Sequence, residues 1–172
     1  MSLSLYQATI PSNLQIIGAV AGLLDKAERY CADKGLAPET LIQARLAEDM
    51  FPFAYQITSV CHHSLGAIDG VRNGTFSPDT SEPPGDFDTL SSRLADAKEA
   101  LEALSEDQVN ELMGKPMRFE FQDIKIDFVA ENFLLSFSQP NFYFHATTAY
   151  DILRAKGLEI GKSDFMGQLR TA

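Results

Sequence analysis

Residues 46–71 read LAEDMFPFAYQITSVCHHSLGAIDGV, and one set of side chains recurs there at steps of three and four. This spacing is typical of a helix that packs one face against a neighbouring helix. The stripe comprises Leu46, Met50, Phe53, Ile57, Val60, Ser64, Ala67 and Val71. Pro52 interrupts the run, so we expect a break near Asp49, a short preceding helix from about Pro38, and Pro52 in the first turn of the main helix.

Three further segments repeat at the same period. The first follows Pro11 and ends before Gly35, a residue typical of a helix C-terminus. The third in chain order has Asp88 as its N-cap, and the fourth starts near Ala130, with a kink or restart expected at Pro140. Their stripes are Ile16, Val20, Leu23, Ala27 and Tyr30; Leu90, Leu94, Ala97, Leu101 and Leu104; and Phe133, Leu134, Phe137, Phe144, Thr148 and Ile152. Four such helices bury their stripes best in a four-helix bundle.

Two stretches lack the helical period. Residues 74–88 are rich in proline and glycine and predict a long exposed loop. Residues 117–128 alternate polar and apolar side chains on both sides of Gln122-Asp123, which indicates a two-stranded hairpin. Its apolar face comprises Phe119, Phe121, Ile124, Ile126 and Phe128. The sequence therefore predicts an all-α fold, a single domain over residues 1–172, with a small β-hairpin between helices three and four.

Charge and composition exclude several classes of function. The net charge of −10, with no cluster of basic residues, argues against a nucleic-acid partner. No uncharged apolar run is long enough to span a membrane, and no basic region precedes an apolar core at the N-terminus. Cys31 and Cys61 have no zinc-like spacing. We therefore expect a cytoplasmic protein with reduced thiols and no membrane partner.

The candidate site residues lie on the second and fourth helices. Asn141 and His145 are four residues apart, so both side chains can reach one ion. His63 lies at the edge of the buried stripe of helix two, with Gln56 two turns earlier on the same face. His62 points away and is expected at the surface, and Cys61 cannot pair with it because consecutive helix positions diverge. The plainer interpretation is that these histidines are core residues with satisfied hydrogen bonds.

Three segments carry a resemblance to a known family. Residues 139–154 (QPNFYFHATTAYDILR), 45–52 (RLAEDMFP) and 161–167 (GKSDFMG) resemble the bacterial DUF1993 proteins, which are similar to the DinB/YfiT-like superfamily of four-helix bundles. That resemblance implies a divalent metal held by one histidine on the second helix and a His-x-x-x-His pair on the last. It also implies enzymes that use low-molecular-weight thiols.

The match to that metal site is incomplete. His145 corresponds to the second histidine of the pair, whereas Asn141 occupies the first position and supplies a harder oxygen donor. The helix-two ligand is Gln56 or His63, and spacing does not decide between them. His63, Asn141 and His145 could hold nickel, zinc or iron with open water positions. Gln56, Asn141 and His145 would instead form a buried hydrogen-bond network left after loss of the metal.

Two classes of function therefore stay open. One is a metal-dependent enzyme that acts on a small, thiol-conjugated molecule. The other is a non-catalytic helical bundle whose histidines are structural. In both cases we expect a homodimer, because the aromatic-rich helices offer more apolar surface than one small bundle buries.

Overall fold

The computed structural model describes residues 3–171, which are mostly helical with one small sheet. The α-helices are α1 (Leu5–Lys34), α2 (Glu39–Ile42), α3 (Phe53–Cys61), α4 (Ala67–Asn73), α5 (Phe87–Glu102), α6 (Glu106–Asn110), α7 (Ala130–Asn132), α8 (Gln139–Ala155) and α9 (Lys162–Met166). Two π-helical segments, π1 (His62–Gly66) and π2 (Phe133–Ser138), join α3 to α4 and α7 to α8. The strands are β1 (Thr75–Phe76), β2 (Pro116–Phe121) and β3 (Ile124–Val129). In this described part of the chain, no helix is long and apolar enough to cross a membrane.

Helix α1 begins six residues before Pro11, so the prediction that it follows this proline is wrong. Ser4 and Gln7 form a capping box that satisfies backbone N–H groups at the start of the helix. Burial of Leu5 and Ile10 then offsets the hydrogen bond that Pro11 cannot make. The helix ends as predicted, with Gly35 in the left-handed conformation at φ 63°.

The second helical region is more interrupted than its stripe predicts. Pro52 is the N-cap of α3 and α2 precedes it, but residues 43–52 are not helical. Leu46 is therefore exposed in a connecting segment and does not belong to the core. The π-helical turn π1 follows α3 directly, and Gly74 ends α4 at φ 78°.

Helix α5 begins two residues earlier than predicted. The carboxylate of Asp86, not that of Asp88, accepts a hydrogen bond from the backbone N–H of Thr89 at 2.7 Å. Asp88 lies in the first turn, where its charge favours the helix dipole. The stripe of α5 is buried as expected, from Leu90 to Leu101.

The longest helices share one apolar core. Helix α1 packs against α5 and α8, and α3 packs against the same two helices. Phe53, Phe133 and Phe142 are the largest completely buried side chains of this core. Helix α8 restarts at Gln139, with Pro140 in its first turn directly after π2.

The sheet has the order β1-β2-β3. Strands β2 and β3 are antiparallel and joined by two residues, of which Gln122 has a positive φ of 52°. Strand β1 pairs parallel with β2. It lies inside the stretch predicted as an exposed loop, so that prediction is wrong for these two residues. Phe76 of β1 is buried among aromatic rings of β2 and π2. The apolar face of the hairpin packs on π2, but Ile124 and Ile126 remain exposed.

Candidate functional site

Helix α3 and π1 on one side and α8 on the other bring two histidines and a glutamine together. The ring centres of His63 and His145 are 5.6 Å apart, and the ring planes differ by 17°. Nδ1 of His145 is 2.7 Å from Oε1 of Gln56, which is buried. Both residues that the sequence offered for helix two therefore lie beside His145.

Gln56 fixes the protonation pattern of His145. Its amide Nε2 donates to the backbone carbonyl of Phe51 at 2.9 Å, so its Oε1 must be the acceptor that faces His145. The hydrogen of the neutral imidazole is therefore on Nδ1 of His145. The lone pair of Nε2 is left available as a metal ligand or a base.

His63 has a buried nitrogen without a partner. Among residues 3–171, no group forms a hydrogen bond with its Nδ1. Its ring lies against Phe76 and Phe137, at centre distances of 5.4 and 6.1 Å. An unsatisfied buried polar atom costs about 1–3 kcal/mol, so this nitrogen requires an explanation.

Both histidines of the pair are held in the neutral form. Burial, with contributions from the neighbouring His145 and His62, lowers the pKa of His63 from 6.5 to about 3. Burial, with a contribution from His62, lowers the pKa of His145 to about 4. A neutral imidazole can ligate a metal ion, whereas a protonated one cannot.

Asn141 lies one helical turn before His145. Its amide Nδ2 donates to the carbonyl of Phe137 at 2.7 Å, so its Oδ1 is free of that bond. Asn141 thus keeps its predicted position one turn before His145 on α8, and its own hydrogen bond is made within the π2–α8 segment.

The two π-helical turns flank the site, and the sequence did not predict them. The hydroxyl of Ser138, at the end of π2, donates to the carbonyl of His63 in π1 at 2.8 Å. This bond connects the two irregular segments and satisfies a carbonyl displaced from the regular ladder. Pro140 gave a signal for an irregularity before α8, but Ser138 carried none.

His62 and Cys61 make their own hydrogen bonds outside the histidine pair, although the His62 ring lies 5.7 Å from that of His63. Nε2 of His62 is 2.8 Å from the carbonyl oxygen of Ser77, and its ring lies on Phe76 at 4.4 Å. The His62 side chain is half-buried at the surface. Burial raises the pKa of the Cys61 thiol to about 12, and its Sγ donates to the carbonyl of Arg93. Cys61 is therefore unsuited to act as a thiolate nucleophile.

A cavity of about 360 Å³ is lined by Tyr55, a neighbour of His145, but by neither histidine of the pair. The ring of Tyr55, which lines it, is 5.9 Å from the ring of His145, and Phe51 stacks on Tyr55 at 4.1 Å. Arg45 and Glu82 supply one charge of each sign to its wall. The volume falls within the range of small-molecule pockets. Phe51 and Tyr55 were not singled out in the sequence, although Tyr55 precedes Gln56.

The donor set differs from that of a conventional metal centre. In the range 3–171, no group of three His, Cys, Asp or Glu side chains is arranged to hold a metal ion. The candidate atoms are two imidazole nitrogens and one amide oxygen. An ion about 2.1 Å from a nitrogen of each ring allows ring centres up to about 6 Å apart, so the observed separation of 5.6 Å fits a shared ion.

Comparison with known proteins gives a family and a fold. Residues 5–166 match the family described as "Domain of unknown function (DUF1993)". The crystal structure of a DinB family member from Shewanella denitrificans superposes with a TM-score of 0.80 at 26% sequence identity. The similarity covers 98% of this chain and 94% of that one. No curated protein matches the chain.

Proposed function

The chain belongs to the DUF1993 family, and from that premise we propose that it is a DinB-type four-helix bundle that binds one divalent transition-metal ion through His63, Asn141 and His145. The bound ion would serve a reaction on a small molecule held in the cavity lined by Tyr55, whose ring contacts His145. The predicted hairpin between the third and fourth bundle helices is part of this proposal.

The observation that carries the proposal is the unpartnered Nδ1 of His63. A buried nitrogen without a hydrogen bond is costly, and a metal ion that accepts its lone pair removes that cost. The nitrogen lies beside a second neutral imidazole whose free atom is fixed by Gln56. Nitrogen donors from two neighbouring neutral imidazoles suit zinc, nickel or iron.

Two of the three proposed ligands, His145 and Asn141, have a side-chain hydrogen bond that orients them and one free donor atom. For His145 the orienting partner is Gln56, and for Asn141 it is the carbonyl of Phe137. The peptide of His63 is bound by Ser138. Such supporting contacts are typical of metal ligands, because they fix the direction of each lone pair. Gln56 is thus a positioning residue and not a fourth ligand.

The metal would act as a Lewis acid with coordination positions left open for water or substrate. The chain itself would supply the binding surface. Phe51 and Tyr55 offer an aromatic wall, and Arg45 offers a cation for an acidic group. These features support a small polar molecule as substrate, and the resemblance to DinB-like enzymes favours one conjugated to a thiol.

Metal content tests the proposal directly. Protein prepared without a metal-affinity tag is dialysed against zinc or nickel at neutral pH, and the metal is counted by mass spectrometry. We expect one ion per chain in the wild type and none in His63→Ala or His145→Ala. His62→Ala is the control, since the His62 ring touches that of His63 but its Nε2 is bonded to the carbonyl of Ser77, and it should keep the ion. A wild-type chain without stoichiometric metal contradicts the proposal.

A second candidate function rests on the bond between Gln56 and His145. At 2.7 Å it satisfies both side chains without a metal, as in a structural network within a non-catalytic bundle. In that case His145→Ala lowers the stability and changes no metal content. The orphaned Nδ1 of His63 favours the first candidate, because a purely structural network leaves it unexplained.

A further inference from the structure

The outer edge of β3 is an open sheet edge with exposed apolar side chains. Within residues 3–171, β3 is an edge strand: β2 pairs with one of its sides, and no strand pairs with the other. Ile124 and Ile126 are 53% and 42% exposed on this strand. A free edge of this kind is a template for pairing with another strand. We propose that a second copy of this chain pairs its β3 antiparallel to this edge, so that two sheets join into one.

The backbone direction limits how two copies can pair. The N–H of Ala130, directly after β3, donates to the carbonyl of Lys115, so the even-numbered residues of this strand turn their backbone groups toward β2. Backbone groups alternate along an antiparallel strand, and Lys125, Asp127 and Val129 therefore face the free edge. A symmetric pairing must match these odd-numbered residues with one another. The two-fold axis then passes through a residue and not between two residues.

Charge then selects one register. With the axis at Ile126, Lys125 of each copy lies opposite Asp127 of the other. An axis at Lys125 or at Asp127 would place two like charges directly opposite each other, which is destabilising. The sequence of β3 is therefore self-complementary about Ile126, although a lone lysine on an edge strand normally opposes pairing.

The existing ion pairs extend across the proposed interface. Within one copy, Arg118 binds Asp127 at 2.5 Å, and Lys125 lies 3.9 Å from Glu120. Those residues are cross-strand neighbours in β2 and β3. In the chosen register they continue into a row of alternating charge over four strands, from Glu120 and Lys125 of one copy to Asp127 and Arg118 of the other.

The opposite face of the sheet is complementary as well. Ile126 faces the same residue of the second copy, and Ile124 faces Phe128 of the second copy. Both isoleucines would gain burial that the single chain does not give them. This surface is a different one from the aromatic helix faces that suggested a homodimer from the sequence.

A cysteine placed on the symmetry axis tests the register. In the proposed dimer the two Ile126 positions form a non-hydrogen-bonded pair with Cα atoms about 4.5 Å apart, within reach of a disulfide. We expect Ile126→Cys to form a covalent dimer under mild oxidation on a non-reducing gel. Ile124→Cys is the matched control, because its two copies lie roughly 13 Å apart along the strands. It is more exposed, so random collision would favour it.

The mass in solution tests the edge itself. Light scattering of the wild type should give twice the 19.0 kDa of one chain. Lys125→Pro removes an outward N–H and should give the mass of one chain, whereas Lys125→Ala keeps that N–H and should remain dimeric at high concentration. Three results each overturn the proposal: a monomeric wild type, a dimeric Lys125→Pro, or cross-linking of Ile124→Cys as fast as that of Ile126→Cys. A monomeric wild type would mean that the edge of β3 remains open for pairing with an extended segment of another protein.

Discussion

The helix pairs α1–α5 and α3–α8 contribute to one core but are built differently. Every buried side chain of α5 is apolar, and side-chain caps begin both α1 and α5. By contrast, α3 and α8 each adjoin a π-helical turn, and this side contains six buried polar side chains, against two on α1, Thr9 and Asn13. The six are Gln56, Thr58, Ser59, Ser64, Ser138 and Thr148. The unpartnered nitrogen of His63 lies there as well.

The difference indicates a division of roles between the two pairs. Regular helices with apolar stripes give stability through burial and packing. π-helical turns and buried polar groups cost stability and persist where they position functional side chains. We therefore expect changes in α5 to alter stability alone, and changes between α3 and α8 to alter stability together with the state of the histidines.

The largest expected effect is in helix α5 of the α1–α5 pair. Leu90 is completely buried in α5, so Leu90→Ala should lower the free energy of unfolding by about 2–5 kcal/mol, through lost transfer energy and a cavity. Urea unfolding followed by circular dichroism measures this change. Below its unfolding midpoint the variant should still bind metal like the wild type. Loss of metal in the folded variant would break the comparison, since the two pairs would then not be separable.

The same contrast explains what the sequence could predict. Apolar period is a local property, so the stripes of α1 and α5 and the cap at Gly35 could be found from spacing. Thr75–Phe76 could not be recognised as a strand, because it is defined by pairing with β2 about forty residues later. The start of α1 is missed although its signal is local: Ser4 and Gln7 form a capping box three residues apart, and the prediction takes the proline as the boundary instead.

For the candidate site, spacing placed Asn141 and His145 on one face but could not choose between Gln56 and His63. The π-helical turn that begins at His62 changes the helical register just before His63, and no local sequence signal marks it. The structure brings both residues to His145. The cavity lined by Tyr55 involves the segment before α3 and the loop near Glu82, which are far apart in sequence.

The next largest effect is the pH dependence of stability, which should arise from the two histidines between α3 and α8 and not from the α1–α5 pair. Burial lowers the pKa of His63 to about 3 and that of His145 to about 4, below the ordinary 6.5 of the unfolded chain. At pH values between the folded and unfolded pKa, the unfolded state binds more protons than the folded state. The free energy of unfolding therefore falls as the pH is lowered from about 6.5 toward 4. At pH 5 each histidine should account for about 2 kcal/mol of the loss relative to pH 7.5.

Urea unfolding at several pH values, with a chelator present, measures this effect. His145→Gln should remove about half of the histidine contribution to the pH dependence. Leu90→Ala is the control, since it should shift the whole curve without changing its slope. An unchanged slope in His145→Gln would show that His145 is not buried in the neutral form.

A smaller effect should follow from Gln56→Leu, which preserves the approximate volume and removes both hydrogen bonds of the amide. Nδ1 of His145 and the carbonyl of Phe51 then lose their partner, at a cost of about 1–3 kcal/mol. Nitrogen chemical shifts of His145 should also show a mixture of tautomers. Gln139→Leu is a suitable control, because Gln139 bonds to Ala8 on α1 and should leave those shifts unchanged.

The smallest expected effect concerns the bond that joins the two π-helical turns. Ser138 and Ser64 are both buried serines, but the hydroxyl of Ser138 reaches across to the carbonyl of His63, whereas that of Ser64 bonds within its own helix to Val60. Ser138→Ala should therefore cost about 1 kcal/mol and shift the ring resonances of His63. Ser64→Ala should be close to neutral, since a back-bonded serine adds little to helix stability. Equal costs for the two variants, with His63 unmoved in both, would show that the irregular turns are not coupled to the histidine pair.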